Sequence, residues 1–233
     1  MKTLGLLETD TLYPDLLEEY TSYGNMFRRF LTNLGAPLDY RFYHVLQGEL
    51  PQEGECDAYL ITGSKAGVYE NQLWIPPLTQ WIQQAYASQE KLIGVCFGHQ
   101  LLAQALGGRA ARSPKGWGIG VHTTQVAHRP LWLHDDHSHL RLIYSHRDQV
   151  EKLPPDARCL LTSDFCENAG FYIGTQVLSF QGHPEFSVDF LRRLLPRRRD
   201  CIGEQVYAEG MATLSQPTES DIAGHWILEL IGL

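Results

Sequence analysis

Apolar residues in the front half of the chain fall into two alternating patterns. Apolar-rich runs at Leu4 to Leu7, Leu38 to Val45, Cys56 to Thr62 and Lys91 to Val95 read as strands. Between them, Leu16 to Leu34 carries the spacing of an amphipathic helix despite Gly24. Trp74 to Ala87 predicts a second helix, opening around Pro76-Pro77, where the fixed φ of proline suits a first turn. Strand–helix alternation implies a parallel sheet, because parallel neighbours need crossover connections that run back over the sheet faces.

Beyond a further helix at Gln100 to Leu106, closed by Gly107-Gly108, the texture changes. Gly116 to Val126, Leu140 to Ser145, Arg158 to Thr162, Gly170 to Ile173 and Gln176 to Phe180 are short alternating runs, with Gly174-Thr175 as a tight turn between the last two. From Ser187 onward the chain reads helical and ends in an amphipathic Ile222 to Leu230. No internal repeat, low-complexity stretch or long linker divides it. The expectation is one domain over residues 1–233, of α/β class. Its mostly parallel central sheet is flanked by helices on both faces and carries a smaller antiparallel part.

Composition narrows the function without naming it. A formal charge of −8 argues against nucleic-acid binding as the main activity. No apolar stretch approaches membrane-spanning length, and Met1 to Glu8 is too short and too soon acidic for a signal peptide. Five scattered cysteines, odd in number and without a CxxC pair, fit reduced thiols in the cytoplasm and give no zinc site. No metal and no cofactor is expected: His134 to His139 is crowded with ligand types but reads as a solvated loop, and Gly116 to Gly120 lacks the GxGxxG spacing. The basic run Arg192, Arg193, Arg197, Arg198 and Arg199 reads as the solvated side of a late helix, an anionic partner surface being the alternative. Tyr69 and Trp74 are expected in the core, with the walls of an active-site mouth as the alternative, and His99 in a structural role.

The chemistry concentrates at Gly94-Val95-Cys96-Phe97-Gly98, between a strand and a helix. A glycine two places either side of a cysteine there has the layout of a nucleophile elbow, whose central residue is strained and presents its side chain. The sulfur then lies at a helix N-terminus, which favours thiolate. A thiol nucleophile needs a base, and that base a partner fixing its tautomer. His183 follows a predicted strand directly, and Glu185 two residues on can reach the imidazole from the same loop.

In this order the segments resemble those of the class I, triad-type glutamine amidotransferases, most closely the branch containing the amidotransferase part of GMP synthase. The chain is also similar to the stand-alone γ-glutamyl peptidases of that branch. Four blocks carry the resemblance: Leu60 to Ser64, Gly94 to Gly108, Tyr144 to Asp148 and Gln181 to Phe186. It implies Cys96 as nucleophile, His183 as base and acid, and Glu185 as its orienting carboxylate. It implies an oxyanion hole from the amide of Phe97 and one in the Gly63-Ser64 turn. Gln100 would face the bound glutamyl group, and Ser145 and His146 would bind its amino-acid end. The turn carries Gly63-Ser64 where the GMP synthase branch has two glycines and a proline. Arg147 stands where many glutamine-using relatives have glycine; it either binds a substrate carboxylate or points to solvent. The implied activity is cysteine-dependent hydrolysis of a γ-glutamyl amide through a thioester, with glutamine the first substrate and ammonia passed to a separate synthase subunit or released. The alternatives are a γ-glutamyl peptidase acting on glutathione-like conjugates, and a partner-dependent or non-catalytic regulatory subunit. A small-molecule substrate is implied, with neither nucleic acid nor membrane as partner.

Overall fold

The computed structural model describes residues 1–233. The first half runs β1 (Lys2–Glu8), α1 (Pro14–Tyr20), α2 (Tyr23–Asn33), β2 (Leu38–His44), β3 (Ala58–Ile61), α3 (Ile75–Ala87), β4 (Leu92–Val95) and α4 (Phe97–Ala105). Seven strands follow: β5 (Arg109–Arg112), β6 (Gly118–Val126), β7 (His139–His146), β8 (Asp148–Lys152), β9 (Arg158–Thr162), β10 (Gly170–Ile173) and β11 (Val177–Phe180). The chain closes with α5 (Val188–Leu194), a 3-10 turn (Leu195–Arg198), α6 (Arg199–Ile202), α7 (Glu204–Ala212) and α8 (Ser220–Ile231).

Nine strands form one sheet in the order β2-β1-β3-β4-β11-β10-β9-β6-β7, and β5 pairs with β8 in a separate antiparallel ribbon. The first five are mutually parallel. Across the whole sheet only β10 and β6 run against the common direction. The sheet is therefore mostly parallel, with its antiparallel pairings gathered beyond β11.

Period-two alternation decides which residues meet which helix layer. Leu4, Leu6, Leu60, Ile93, Leu178 and Phe180 pack with Phe27 and Leu31 of α2 and with Trp226 and Ile227 of α8. Their strand neighbours Leu7, Tyr59, Ile61, Leu92 and Val177 turn the other way, onto Leu78 and Ile82 of α3 and Leu101 and Leu102 of α4. Each fully buried leucine contributes about 1.5–3 kcal/mol. Burial on both faces is why these strands read as apolar runs. A third cluster joins Ile119, Val121 and Ile143 to Tyr23 of α2 and Phe190 of α5, next to the site.

Three expectations need correction. The helix expected over Leu16 to Leu34 is broken at Thr21, which takes φ 64°. Ser22 then restarts it as an N-cap, its hydroxyl accepting from the Asn25 amide at 3.1 Å. Gly24 lies in the first turn of α2, and its amide donates to the buried Glu8 carboxylate at 2.9 Å, answering one of the N–H groups a helix start leaves open. The β5–β8 ribbon has no counterpart among the expected strands: Arg-Ala-Ala-Arg and Asp-Gln-Val-Glu-Lys lack an alternating β-branched pattern. The helical tail is also cut into several pieces by Pro196 and Gly203, the latter at φ 90°.

Candidate active site

Cys96 joins β4 to α4 with φ 53° and ψ −104°, a conformation hostile to any residue with a side chain. Three backbone bonds hold it there. The Cys96 amide donates to Phe180 O at 2.8 Å, Gly98 N to Thr62 O at 3.2 Å, and Gln100 N to Cys96 O at 3.0 Å. The flanking glycines are steric necessities. A Cβ on Gly94 would come within 2.6 Å of Gly98 O, and one on Gly98 within 2.2 Å of Ile61 O.

The partner strand delivers the base. β11 lies parallel beside β4 with Phe180 opposite Val95, so the residues just past each strand end emerge side by side. His183 follows, pinned by its amide to Ile143 O on β7 at 2.8 Å. His183 Nδ1 lies 2.8 Å from Glu185 Oε1, and both side chains are buried. The Phe186 ring stacks on the imidazole at 3.8 Å and 7°. Burial opposes charge on His183, but the Glu185 carboxylate, then the Cys96 thiol by charge and hydrogen bond, outweigh it and push the imidazole pKa up to about 10. Gly63 sits beneath the pair: a Cβ there would stand 2.9 Å from His183 Cε1 and 3.5 Å from Cys96 Cβ. The elbow thiol and the imidazole thus share one small space.

A cleft of about 260 Å³ opens over Cys96, walled by Ser64, Gln100 and the segment Ser145 to Asp148. Gln100 spends its amide N–H groups internally, on Asp148 O at 2.8 Å and Gln181 Oε1 at 3.1 Å. Arg147 stands over the Trp117 ring at 5.6 Å and 3.6 Å from Asp148. His146 is buried among Tyr144, Phe165 and His122, and burial foremost, with the charge of nearby histidines, keeps it neutral. His99 is buried between Ser179 Oγ and Asn168 O, a structural role as expected. Trp74 packs on Phe97 at 5.2 Å, whereas Tyr69, expected in the core, is 54% exposed.

Three residues of this region, Thr9, Arg197 and Arg198, are not marked out individually by the sequence. Thr9, fully buried just past β1, donates from Oγ1 to Thr62 O and Gly63 O, both at 3.1 Å. Since a trans peptide points its N–H opposite its carbonyl, a fixed Gly63 O also fixes the Ser64 N–H. Arg197 and Arg198 line the cleft, which corrects the reading of the whole basic run as a solvated helix side. The 3-10 turn after α5 brings them there. In the His134 to His139 segment, His137 pairs with Asp135 at 2.8 Å, while His134 reaches Glu229 of α8 at 3.4 Å and His139 reaches Glu219 at 3.5 Å. No helix is long and apolar enough to cross a membrane.

The family model described as glutamine amidotransferase class-I matches residues 15–193. Gamma-glutamyl peptidase 4 of Arabidopsis thaliana is 32% identical over 186 residues, covering 76% of this chain and 73% of the relative. GMP synthase [glutamine-hydrolyzing] of Aeropyrum pernix is 33% identical over 94 residues, 40% of this chain and 18% of that protein. Among solved structures, a glutamine amidotransferase from Thermotoga maritima superposes with a TM-score of 0.79 at 19% identity, covering 100% of this chain and 99% of that one. This likeness shows a shared fold. The matched segment spans the elbow, the His183–Glu185 loop and the strands between them, and the chain belongs to the class I glutamine amidotransferase family.

Proposed function

We propose that the chain hydrolyses γ-glutamyl amide bonds by acyl transfer to Cys96. The observation carrying this reading is the strained elbow cysteine sharing the space beneath it with an imidazole held by a buried carboxylate. Cys96 thiolate attacks the γ-carbonyl carbon, and the carbonyl electron pair moves to oxygen. The amides of Phe97 and Ser64, the second aimed by Gly63, stabilise that oxyanion; one such donor is worth about 3 kcal/mol. His183 gives its proton to the departing nitrogen as the C–N bond breaks, leaving a γ-glutamyl thioester. Water then loses a proton to His183 and attacks the thioester; collapse of the second oxyanion expels the thiolate and frees glutamate. Glu185 holds Nδ1–H, so the other ring nitrogen does the shuttling.

Around this centre, Gln100, Ser145, His146 and Arg147 form the substrate wall, with the backbone near Ser145 on the amino-acid end. Glutamine is the first substrate, its ammonia released or handed to a separate synthase subunit. A γ-glutamyl peptide is the second reading, favoured by the similarity to plant γ-glutamyl peptidases. We take residues 1–233 as one amidotransferase-like domain, because strands of both halves interleave in one sheet. The five free thiols fit a cytoplasmic location.

The test is glutamate release by the purified protein from glutamine and from γ-glutamyl dipeptides, beside the C96A variant. Release by the parent protein and none by C96A is expected. Glutamate from the dipeptide alone would transfer the assignment to the peptidase reading. No release from either, together with a Cys96 that a glutamine-like electrophile leaves unlabelled with and without cell lysate, would make the chain a non-catalytic subunit.

A further inference from the structure

The arginines of the 192–199 run differ in how their charge is answered. Arg193 pairs with Glu19 at 2.5 Å, Arg199 with Glu204 at 2.6 Å, and Arg197 with Asp15. Arg192 is exposed and forms no part of the cleft wall. Arg198 stands apart from all of these. It is half-buried, it lines the cleft with Cys96, and it takes no part in any ion pair. Its Nη1 donates to the buried Ser145 Oγ at 2.9 Å and to Ser145 O at 3.4 Å. The other cations of the cleft each have an acid at hand: Arg147 has Asp148 at 3.6 Å, and Lys65 has Asp10 at 3.2 Å.

The backbone beneath Arg198 is fixed from two sides. Cys201 Sγ donates to Arg198 O at 3.0 Å, and Trp117 Nε1 donates to Cys201 O at 3.0 Å. A guanidinium has five N–H donors in a planar fork, is never neutral in a protein, and meets carboxylates with two parallel bonds. Here Ser145 occupies one edge only. A partly desolvated cation with no countercharge of its own, held beside the nucleophile, suits an anion that arrives with the substrate. Every γ-glutamyl amino acid brings two: the glutamyl α-carboxylate and the carboxylate of its leaving group.

We propose that Arg198 is the carboxylate receptor of the cleft, a specificity-determining residue whose guanidinium, steadied by Ser145, selects γ-glutamyl compounds by a carboxylate they carry. This rests on the reading of the site as γ-glutamyl-cleaving. Either carboxylate offers the guanidinium the same pair of oxygens, and two neutralised ligands separate the two sources.

Binding to C96A, which leaves ligands intact, is compared with C96A/R198Q and C96A/R198K by calorimetry. The ligands are γ-glutamylglycine, γ-glutamylglycinamide without the leaving-group carboxylate, and 4-aminobutanoylglycine without the glutamyl α-carboxylate. R198Q is expected to weaken γ-glutamylglycine binding about 10- to 100-fold, the range for hydrogen bonds to a charged group. R198K keeps the charge without the fork and should fall between. One neutralised ligand should bind C96A and C96A/R198Q alike, and that ligand identifies the carboxylate. Turnover with Cys96 intact should show the R198Q loss mainly in KM. An equal loss on all three ligands, no loss, or no binding of any ligand would overturn the assignment. Turnover without a carboxylate-selective loss would remove Arg198 alone. Carboxylate-selective binding without turnover would remove the reaction and leave Arg198 in place.

Discussion

The two walls of the cleft are made differently. On the triad side, the groups follow strand ends and are tied by backbone bonds to other strands, Cys96 to Phe180 on the adjacent β11 and His183 to Ile143 on β7. On the arginine side, Arg197 and Arg198 reach in from a 3-10 turn, the first answered by the exposed Asp15 carboxylate and the second by Ser145. On the proposed reading, the contrast separates two tasks. Bond cleavage needs groups placed to a fraction of an ångström in dry surroundings, which a buried sheet supplies. Substrate choice tolerates a softer frame, which surface loops and turns supply.

The contrast breaks if the triad wall proves tolerant. E185Q keeps the shape but removes the charge behind His183, and should cut kcat by about 10²–10⁴-fold, the usual range for general acid–base groups. Its pH signature is specific. In the parent protein the imidazole is raised above its unfolded value, so its contribution to stability is complete below pH ~6.5 and fades as pH rises through about 10. The basic limb of kcat/KM should likewise fall near 10, where His183 loses its proton. In E185Q both should move to lower pH; rate profiles and thermal melts across that range read this directly. A limb that stays in place would mean Glu185 does not govern the imidazole.

A subtler change probes how far the fixed frame extends. T9V should leave KM nearly unchanged and lower kcat about 10-fold, with about 1 kcal/mol of stability lost with the hydrogen bond. An unchanged kcat in steady-state assays would show that Gly63 needs no help in aiming the next amide. Just behind the opposite wall, R199Q opens an exposed pair with Glu204 and should change neither activity nor melting temperature. A clear loss there would mean the softer wall is less tolerant than its exposure suggests.

How much of this is legible in the sequence follows from where each signal lies in the chain. The elbow and the His183–Glu185 loop are contiguous motifs at strand ends, so seven or eight neighbouring residues are enough to find them. The apolar runs of β1, β3, β4 and β11 are buried on both faces, and they stand out for that reason. Arg198 cannot be singled out, because it sits in a run of arginines and only the fold brings it to Ser145. Thr9 is equally silent: its part depends on a contact with a turn more than fifty residues away. The break at Thr21 is masked by helical spacing on both sides, although Ser22 three residues before Asn25 is a visible capping signal. The β5–β8 ribbon pairs polar segments whose register comes from long-range packing and not from local pattern.

Cys96 is held at φ 53°, ground that glycine alone occupies comfortably, and such a residue typically costs about 1–3 kcal/mol. A glycine at position 96 would relax that turn and abolish the proposed chemistry together. For a duplicated copy freed from its task, decay toward a silent, sturdier protein would be energetically downhill. On the proposed reading, the elbow sulfur is kept at a standing cost in backbone energy for the sake of turnover.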